Sequence, residues 1–156
     1  MEIRKIKPVE SVSMRLVKGE DLNHHGTLFA GRTAEWFVES GFVAAANLLN
    51  PKNVVCLQVH GMYFAALVKP GEVVKFVSKI ICTGRSSLMA YITVTKMNDN
   101  KNLVSGFVTY IHVDENTRPT PHGIEIAPET EEDIQLNELA INVRNQRSDI
   151  ESWNNK

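Results

Sequence analysis

The sequence predicts an α+β fold in which one long helix packs against an antiparallel sheet of about five to six strands. The helix is predicted within residues 23–49, after an N-terminal loop at 23–31, because small and apolar side chains then recur at the i, i+3, i+4, i+7 spacing of one buried helix face. The sheet is predicted by alternating or β-branched segments on both sides of the helix, and short turns between them indicate antiparallel neighbours. The apolar stripe of the helix comprises Ala34, Phe37, Val38, Gly41, Phe42, Ala45, Leu48 and Leu49.

A first strand precedes the helix, and a proline ends the helix. In residues 12–17 apolar and polar side chains alternate, as in a strand with one buried face. After the helical segment, Pro51 has no amide proton and restricts the backbone of Asn50, so the helix stops there. We therefore expect a central helix that is wrapped by the strands before and after it.

Four further strands follow the helix, and turns of typical composition separate most of them. These strands are predicted at 54–66, 73–83, 87–96 and 103–113. The turn at 69–72 has a proline preset for its second position and Gly71 free to take a positive φ. Gly61, inside the first of these strands, indicates a bulge or a close backbone approach.

The C-terminal part is predicted to be an extension of the domain. Residues 118–128 are rich in proline and are expected to cross the surface, so we place a domain at 1–128 and a helical extension at 129–156. The apolar positions of one amphipathic helix in the extension are Ile134, Leu136, Leu139, Ile141, Val143, Ile150 and Trp153. This helix either docks on the domain or a neighbouring subunit, or it is a partly frayed tail, and the sequence leaves both open.

Composition and charge argue against several classes of function. A net charge of -1 over 156 residues argues against a general nucleic-acid binder. No apolar run reaches membrane-spanning length, and residues 1–8 lack the apolar segment of a secretory signal. Cys56 and Cys82 lie in strand-like runs without metal-site or redox spacing, so we expect buried free thiols in a reducing cytoplasm and no metal.

The loop that opens the helix carries a family motif. Residues 23–31, NHHGTLFAG, followed by a helix containing Trp36, resemble the N-x-x-G-x-x-F-G-G motif of hot-dog-fold acyl-CoA thioesterases. Three later segments resemble the same family in order and spacing, namely 64–71, 83–88 and 107–121. The resemblance extends over residues 12–122, which is most of the chain.

This resemblance implies a hot-dog fold, in which a curved antiparallel sheet wraps one long helix. It also implies homodimers joined edge to edge through their sheets, often assembled further into tetramers or hexamers. The active sites of the family lie at the dimer interface, where acyl-CoA thioesters are hydrolysed to free acid and coenzyme A. We therefore expect acyl-CoA as the substrate, no cofactor apart from that coenzyme A, and neither a nucleic-acid nor a membrane partner.

Within the motif, the resemblance assigns roles to Asn23 and Gly31. Asn23 matches the family asparagine that positions the water or the carbonyl, although asparagine also forms helix caps and turns. Gly31, or the amide of Arg32, matches the oxyanion-binding position, where free amides and the helix dipole favour negative charge. The alternative is that Gly26 and Gly31 only permit tight packing of the helix on the sheet.

The carboxylate of the family is missing from its usual place. The family has an acidic residue seven positions after the second glycine of the motif, where this chain has Val38, which we expect to be buried. Glu39 comes next and Glu35 lies one turn earlier, so we expect Glu39 to be the general base, with Glu35 second. A local helix bulge would turn Glu39 into the usual position. If both glutamates are solvated on the outer flank, the chemistry differs or is absent.

A later turn is a candidate for binding the coenzyme. Arg85, Ser86 and Ser87 resemble the family segment beside the coenzyme A groove, where an arginine and hydroxyls can bind phosphates. A hairpin turn with polar surface residues is the alternative. His60, inside a predicted strand, is expected to be a hydrogen-bonded core or interface histidine.

Two other functions stay open. A hot-dog dehydratase or hydratase would pair His24 or His25 with Glu35, although the proline-rich loop typical of that family is missing. A pair of adjacent histidines in a loop is also simply polar surface in many proteins. Val38 at the carboxylate position favours a third possibility, a non-catalytic protein that binds acyl-CoA.

Overall fold

The α+β fold class is confirmed: one long helix packs on a five-stranded antiparallel sheet. The computed structural model describes residues 1–146 and 149–155, without the side chains of residues 149 and 150. The strands of this sheet lie in the order β2-β4-β5-β6-β3, so β2 and β3 are its edges. The strands are β1 (Arg4–Ile6), β2 (Ser11–Leu16), β3 (Val54–Val59), β4 (Val73–Thr83), β5 (Ser87–Lys96), β6 (Asn102–His112) and β7 (Ile124–Ile126), and the helices are α1 (Ala30–Ala46), α2 (Glu131–Asn145) and α3 (Asp149–Asn154).

Strands β4 and β5 have the predicted bounds, whereas β3 is shorter than predicted. The turn before β4 forms as expected, with Gly71 at φ +86°. β3 ends at Val59 rather than at residue 66, because Gly61 takes a φ of +96° and the chain leaves the ladder there. The segment that follows stays beside β6, because the backbone amides of His60 and Ala65 each donate a hydrogen bond of 2.9 Å to a carbonyl of that strand.

A small second sheet was not expected from the sequence. β1 and β7 pair in parallel, with Arg4 opposite Ile124 and Ile6 opposite Ile126. Residues 118–128, which the proline content placed on the surface, therefore contain a strand. A strand of three residues is too short to show a period, and its partner lies more than a hundred residues away in the sequence.

The buried face of α1 is rotated relative to the predicted stripe. Phe37 is fully buried as expected, but Val38 is only half-buried, so the expectation of a buried Val38 is wrong. Thr33 and Ser40 are buried in addition to apolar positions. The Thr33 hydroxyl donates to the Phe29 carbonyl at 3.5 Å, and the backbone carbonyl of Ser40 accepts a bond of 2.8 Å from Ser78 Oγ on β4.

A tyrosine from β6 contacts the helix at Gly41. The Tyr110 hydroxyl donates a hydrogen bond to the backbone carbonyl of Val38. A Cβ added to Gly41 would collide with this hydroxyl and would lie 2.8 Å from Ile92 Cδ1. Burial raises the pKa of Tyr110 far above its usual value, so its hydroxyl stays protonated and remains a donor. Glycine is therefore required where α1 crosses β6.

The C-terminal helix α2 docks on the opposite face of the sheet, so the frayed-tail alternative is wrong for residues 131–145. Ala140 packs in a second buried cluster with Ile81, apart from the main core beneath α1. Lys79 Nζ lies 2.6 Å from Asp133 Oδ1, and both side chains are largely buried. The Asn137 amide donates a bond of 2.7 Å to the Ile81 carbonyl, where the register between β4 and β5 shifts.

The predicted single C-terminal helix is in fact two helices, α2 and α3. Trp153 lies on α3 and is largely exposed, and the side chain of Ile150 lies outside the described residues. Cys82 is buried as expected, but the expectation of a buried Cys56 is wrong, because Cys56 is exposed on β3, an edge strand with a neighbouring strand on one side only. None of the described helices has the length and apolar character needed to span a membrane.

Candidate active site

Asn23 organises the loop before α1 as a turn. Its Oδ1 accepts from the amides of His25 at 2.9 Å and Thr27 at 3.2 Å, and its Nδ2 contacts Thr27 Oγ1 at 3.0 Å. Gly26, within this turn, has a φ of +77° that suits glycine. Of the two structural roles left open, Asn23 has that of a turn former, since the residue that caps α1 is Phe29.

The start of α1 presents backbone donors. The helix begins at Ala30, and its first two amides, those of Ala30 and Gly31, lack an intrahelical acceptor, so this end favours negative charge. The Arg32 amide, the other predicted donor, already donates to the Phe29 carbonyl at 3.0 Å. Gly31 lies in this first turn, and a Cβ there would be 2.5 Å from the Phe29 ring. Glycine at this position therefore permits close packing and also lies among the free amides, so both readings of Gly31 remain compatible with the structure.

An apolar cavity lies directly beside this end of the helix. It has a volume of about 130 Å³. Buried side chains of Val68, Leu103 and Val104 contribute to it. Its other lining residues are Asn23, Leu28, Ala30, Thr33, Phe64, Ala66 and Leu67. Asn23 and the first turn of α1 thus lie beside a slot suited to a short apolar group.

Both candidate carboxylates lie at a second site, an open groove along α1 of about 650 Å³, and within the single chain both are largely exposed, as in the solvated alternative. Glu39 Oε2 is 3.0 Å from Arg15 Nη2, and Glu35 Oε2 is 3.0 Å from Arg32 Nη1. The groove is lined by Arg15, Arg32, Glu35, Trp36, Val38, Glu39, Phe42, Cys56 and Tyr110. Because Cys56 belongs to β3, the groove reaches the free edge of the sheet.

The arginines of the groove are themselves held in place. Arg32 Nε lies 3.2 Å from Asp21 Oδ1, and the Asp21 side chain is buried. Arg15 stacks on Trp36, with its guanidinium carbon 5.5 Å from the ring centroid. α1 is a continuous α-helix from Ala30 to Ala46, so the bulge that would turn Glu39 toward the position of Val38 is absent.

The candidate coenzyme-binding turn lies at the other end of the sheet from Asn23. Residues 84–86 connect β4 to β5, and Ser87 is opposite Ile111 near the end of β6. The Ser87 hydroxyl accepts a bond of 3.1 Å from the Gly84 amide, so it shapes the turn. Arg85 is exposed. Within a single chain, these residues are therefore not brought together with Asn23 and Gly31.

A histidine with no recognisable sequence signal, His122, supports this turn. His122 Nδ1 accepts from the Ile124 amide at 3.0 Å, which leaves Nε2 to donate to the Ser87 carbonyl at 2.9 Å. Burial lowers the pKa of His122, so the neutral ring that makes both bonds is favoured. Nothing in the local sequence around His122 indicates its hydrogen-bond partner on β5.

The remaining histidines lie outside the groove. His24 and His25 are exposed, with ring centroids 3.9 Å apart, and line neither the cavity nor the groove. His60 contacts Thr109 Oγ1 at 2.7 Å, and burial lowers its pKa. Among the described residues, no cluster of three or more His, Cys, Asp or Glu side chains is arranged to hold a metal ion.

Residues 25–102, half of the chain, match the family model of the Thioesterase superfamily, so the chain belongs to this family. Its helix-on-sheet architecture is accordingly a hot-dog fold. Among individual proteins, it is 27% identical over 150 residues to the "uncharacterized acyl-CoA thioester hydrolase YkhA" of Bacillus subtilis, covering 94% of this chain and 86% of the relative.

Solved structures agree with this fold. A crystal structure of an apo hexameric acyl-CoA thioesterase is 27% identical, with a TM-score of 0.83 over 91% of this chain and 94% of the other. An acyl-CoA hydrolase from Staphylococcus aureus, solved with butyryl coenzyme A, is 19% identical, with a TM-score of 0.78 over 92% and 86% of the two chains. At that identity, the second likeness concerns the fold alone.

Proposed function

We propose that the chain hydrolyses acyl-CoA thioesters to free acid and coenzyme A, with Glu39 as the general base and Glu35 as the second candidate. The observation that carries this proposal is the groove that holds both glutamates beside the edge strand β3. Membership of the thioesterase superfamily supports the reaction class. The Bacillus subtilis relative, named as an acyl-CoA thioester hydrolase, supports acyl-CoA as the substrate.

The proposed assembly is a homodimer joined through β3, with further association into a tetramer or hexamer. β3 is an edge strand and exposes Val55, Leu57 and Val59. An exposed apolar edge with unpaired backbone groups favours pairing with another strand, and a two-fold dimer would pair β3 with its own copy. The hexameric thioesterase with the same fold supports association beyond the dimer.

Such a two-fold axis would bring separate parts of two chains into one site. Within one chain, the Asn23 cavity lies where β6 begins, and the 85–87 turn lies where β6 ends. Antiparallel pairing of two β3 strands sets opposite ends of the two copies side by side. Asn23 and Gly31 of one copy would then approach the Glu39 groove and the 85–87 turn of the other copy.

In the proposed reaction, Glu39 accepts a proton from water while the water oxygen bonds to the thioester carbonyl carbon. Asn23 positions the water or the carbonyl. The amide of Gly31 donates to the oxygen that becomes negative, because the Arg32 amide is already bonded to the Phe29 carbonyl, and one such donor stabilises the transition state by about 3 kcal/mol. The carbon–sulfur bond then breaks, and the coenzyme A thiolate leaves and takes up the proton held by Glu39.

The phosphates of coenzyme A are proposed to bind at the 85–87 turn. Arg85 is exposed and can offer a planar guanidinium to a phosphate. Ser86 is a second candidate donor, whereas the Ser87 hydroxyl already accepts from Gly84 and contributes through the shape of the turn. No cofactor besides the coenzyme A of the substrate is part of this proposal, and its setting is a reducing cytoplasm, which the two free cysteines support.

A second candidate function, binding of acyl-CoA without hydrolysis, is favoured by one observation. Val38 occupies the position of the family carboxylate, and its side chain lies half-buried in the groove. The hydratase alternative has no such support, because His24 and His25 do not line the groove that holds Glu35.

Release of free thiol from acyl-CoA esters of several chain lengths tests the proposal. We expect hydrolysis by the unaltered protein and a loss of at least about a hundredfold in Glu39→Gln, because general-base catalysis typically contributes that much. Glu132→Gln, an exposed glutamate on α2, is the matched control and should retain activity. Thermal stabilisation by coenzyme A without thiol release would instead favour the binding-only function.

A further inference from the structure

We propose that Arg15 is a positioning residue for the general base, holding the carboxylate of Glu39 in the orientation in which it accepts the proton of water. This inference rests on the proposed function. It comes from the contact between Arg15 Nη2 and Glu39 Oε2, 3.0 Å long, which joins two residues that are 24 apart in sequence. The contact is made across the groove between the edge strand β2 and the helix α1.

On the side away from Glu39, the guanidinium of Arg15 packs over an aromatic ring. β2 pairs with β4 along its length, with Arg15 opposite Val74. The guanidinium lies over Trp36, whose ring in turn packs edge-on against Phe76 at a centroid distance of 6.1 Å. A planar cation held on an aromatic ring loses less freedom when it binds a carboxylate, so it can fix a flexible glutamate.

Stability does not account for this ion pair. The Arg15 side chain is 45% exposed and the Glu39 side chain is 61% exposed. Pairs that are this exposed contribute little to folding, because solvent screens them and two long side chains must be ordered. An orienting role toward Glu39 therefore explains an arginine at this position better than a contribution to folding stability does.

Direct binding of coenzyme A phosphates by Arg15 is disfavoured by the surrounding charges. The groove and the adjoining pocket share Arg15, Arg32 and Trp36. Three cations of their lining face four carboxylates, so the region is not an attractive site for an anion. These residues are Arg15, Lys18 and Arg32 against Glu20, Asp21, Glu35 and Glu39.

The geometry assigns different tasks to the two oxygens of Glu39. Oε2 receives the guanidinium of Arg15, so Oε1 is the oxygen that takes the proton from the attacking water. Without Arg15, the carboxylate would rotate among several side-chain conformations, and few of them would place an oxygen at the water. The chemical step would slow, while the affinity for acyl-CoA would change little.

Single-turnover kinetics with a substrate that the protein hydrolyses separate these effects. Arg15→Met keeps the stem that covers Trp36 and removes the cation. We expect its single-turnover rate to fall about tenfold or more, with the half-saturating acyl-CoA concentration unchanged within about twofold. Arg15→Lys should recover part of the rate, because it restores a cation without the planar fork. In Arg15→Met/Glu39→Gln, the rate should be no lower than in Glu39→Gln alone.

Lys18→Met is the matched control, since Lys18 pairs with Glu20 outside the groove at 2.9 Å. Its rate and half-saturating concentration should equal those of the unaltered protein. An unchanged rate in Arg15→Met would overturn the inference and leave the hydrolase function standing. So would a raised half-saturating concentration at an unchanged rate, which would make Arg15 a substrate-binding residue. Absence of hydrolysis by the unaltered protein would overturn both proposals.

Discussion

Replacing Gly41 with alanine tests the close contact between α1 and β6. The added Cβ would meet the Tyr110 hydroxyl and lie 2.8 Å from Ile92 Cδ1. Overpacking of this kind costs about 1–3 kcal/mol. Displacing the hydroxyl from the Val38 carbonyl costs about 1 kcal/mol more, and the better helix propensity of alanine returns about 1 kcal/mol. The net expectation is a loss of about 1–3 kcal/mol of unfolding free energy.

Thermal denaturation at one fixed protein concentration measures this loss. For a chain of 156 residues, each 1 kcal/mol lowers the Tm by about 2–4 °C, so Gly41→Ala should unfold several degrees below the unaltered protein. Gly19→Ala is the matched control, since a Cβ there has open space around it. Tyr110→Phe combined with Gly41→Ala should recover part of the loss. A Gly41→Ala protein as stable as the control would refute the packing argument.

Two further predictions concern the opposite face of the sheet and the turn before β5. Asp133→Asn leaves Lys79 largely buried without its counter-charge and should cost about 3–5 kcal/mol in urea unfolding, whereas replacing both with apolar residues of similar volume should recover most of it. The pKa of His122 is lowered by burial, so the folded protein binds a proton there less readily than the unfolded chain does. Its contribution to stability is therefore present above about pH 6.5 and decreases as the pH falls below that value. Unfolding free energies measured between pH 7.5 and 5.5 should fall less steeply in His122→Gln, and an equal slope would contradict the assignment.

The parts of the fold that were predicted correctly are those with strong local signals. The bounds of β4 and β5 follow from turns whose glycine and proline residues act within a few positions, such as Gly71. β3 was predicted too long because an apolar and aromatic run continues past Gly61, although the backbone leaves the sheet there. The exposure of Cys56 depends on strand order, and a single sequence does not show which strand is the edge.

The candidate site was predictable only where its residues are close together in the sequence. The loop motif located Asn23 and Gly31 at the start of the helix, because their spacing is local. The partner of Glu39 was missed, since Arg15 lies on another element and only tertiary structure brings the two together. The alternation of residues 12–17 is typical of a strand that buries its apolar face, but Met14 and Leu16 on that face are exposed, and the polar face with Arg15 is the one turned toward α1.

The exposed apolar edge at β3 affects how this protein must be produced and stored. Its sequence, VVCLQV, contains neither lysine nor proline, the residues that commonly protect an exposed edge strand from pairing with other chains. A newly synthesised subunit would thus expose an unpaired apolar edge strand until it binds the second subunit of the proposed dimer. Dilution, or a tag that blocks dimerisation through β3, should therefore favour aggregation rather than a soluble monomer.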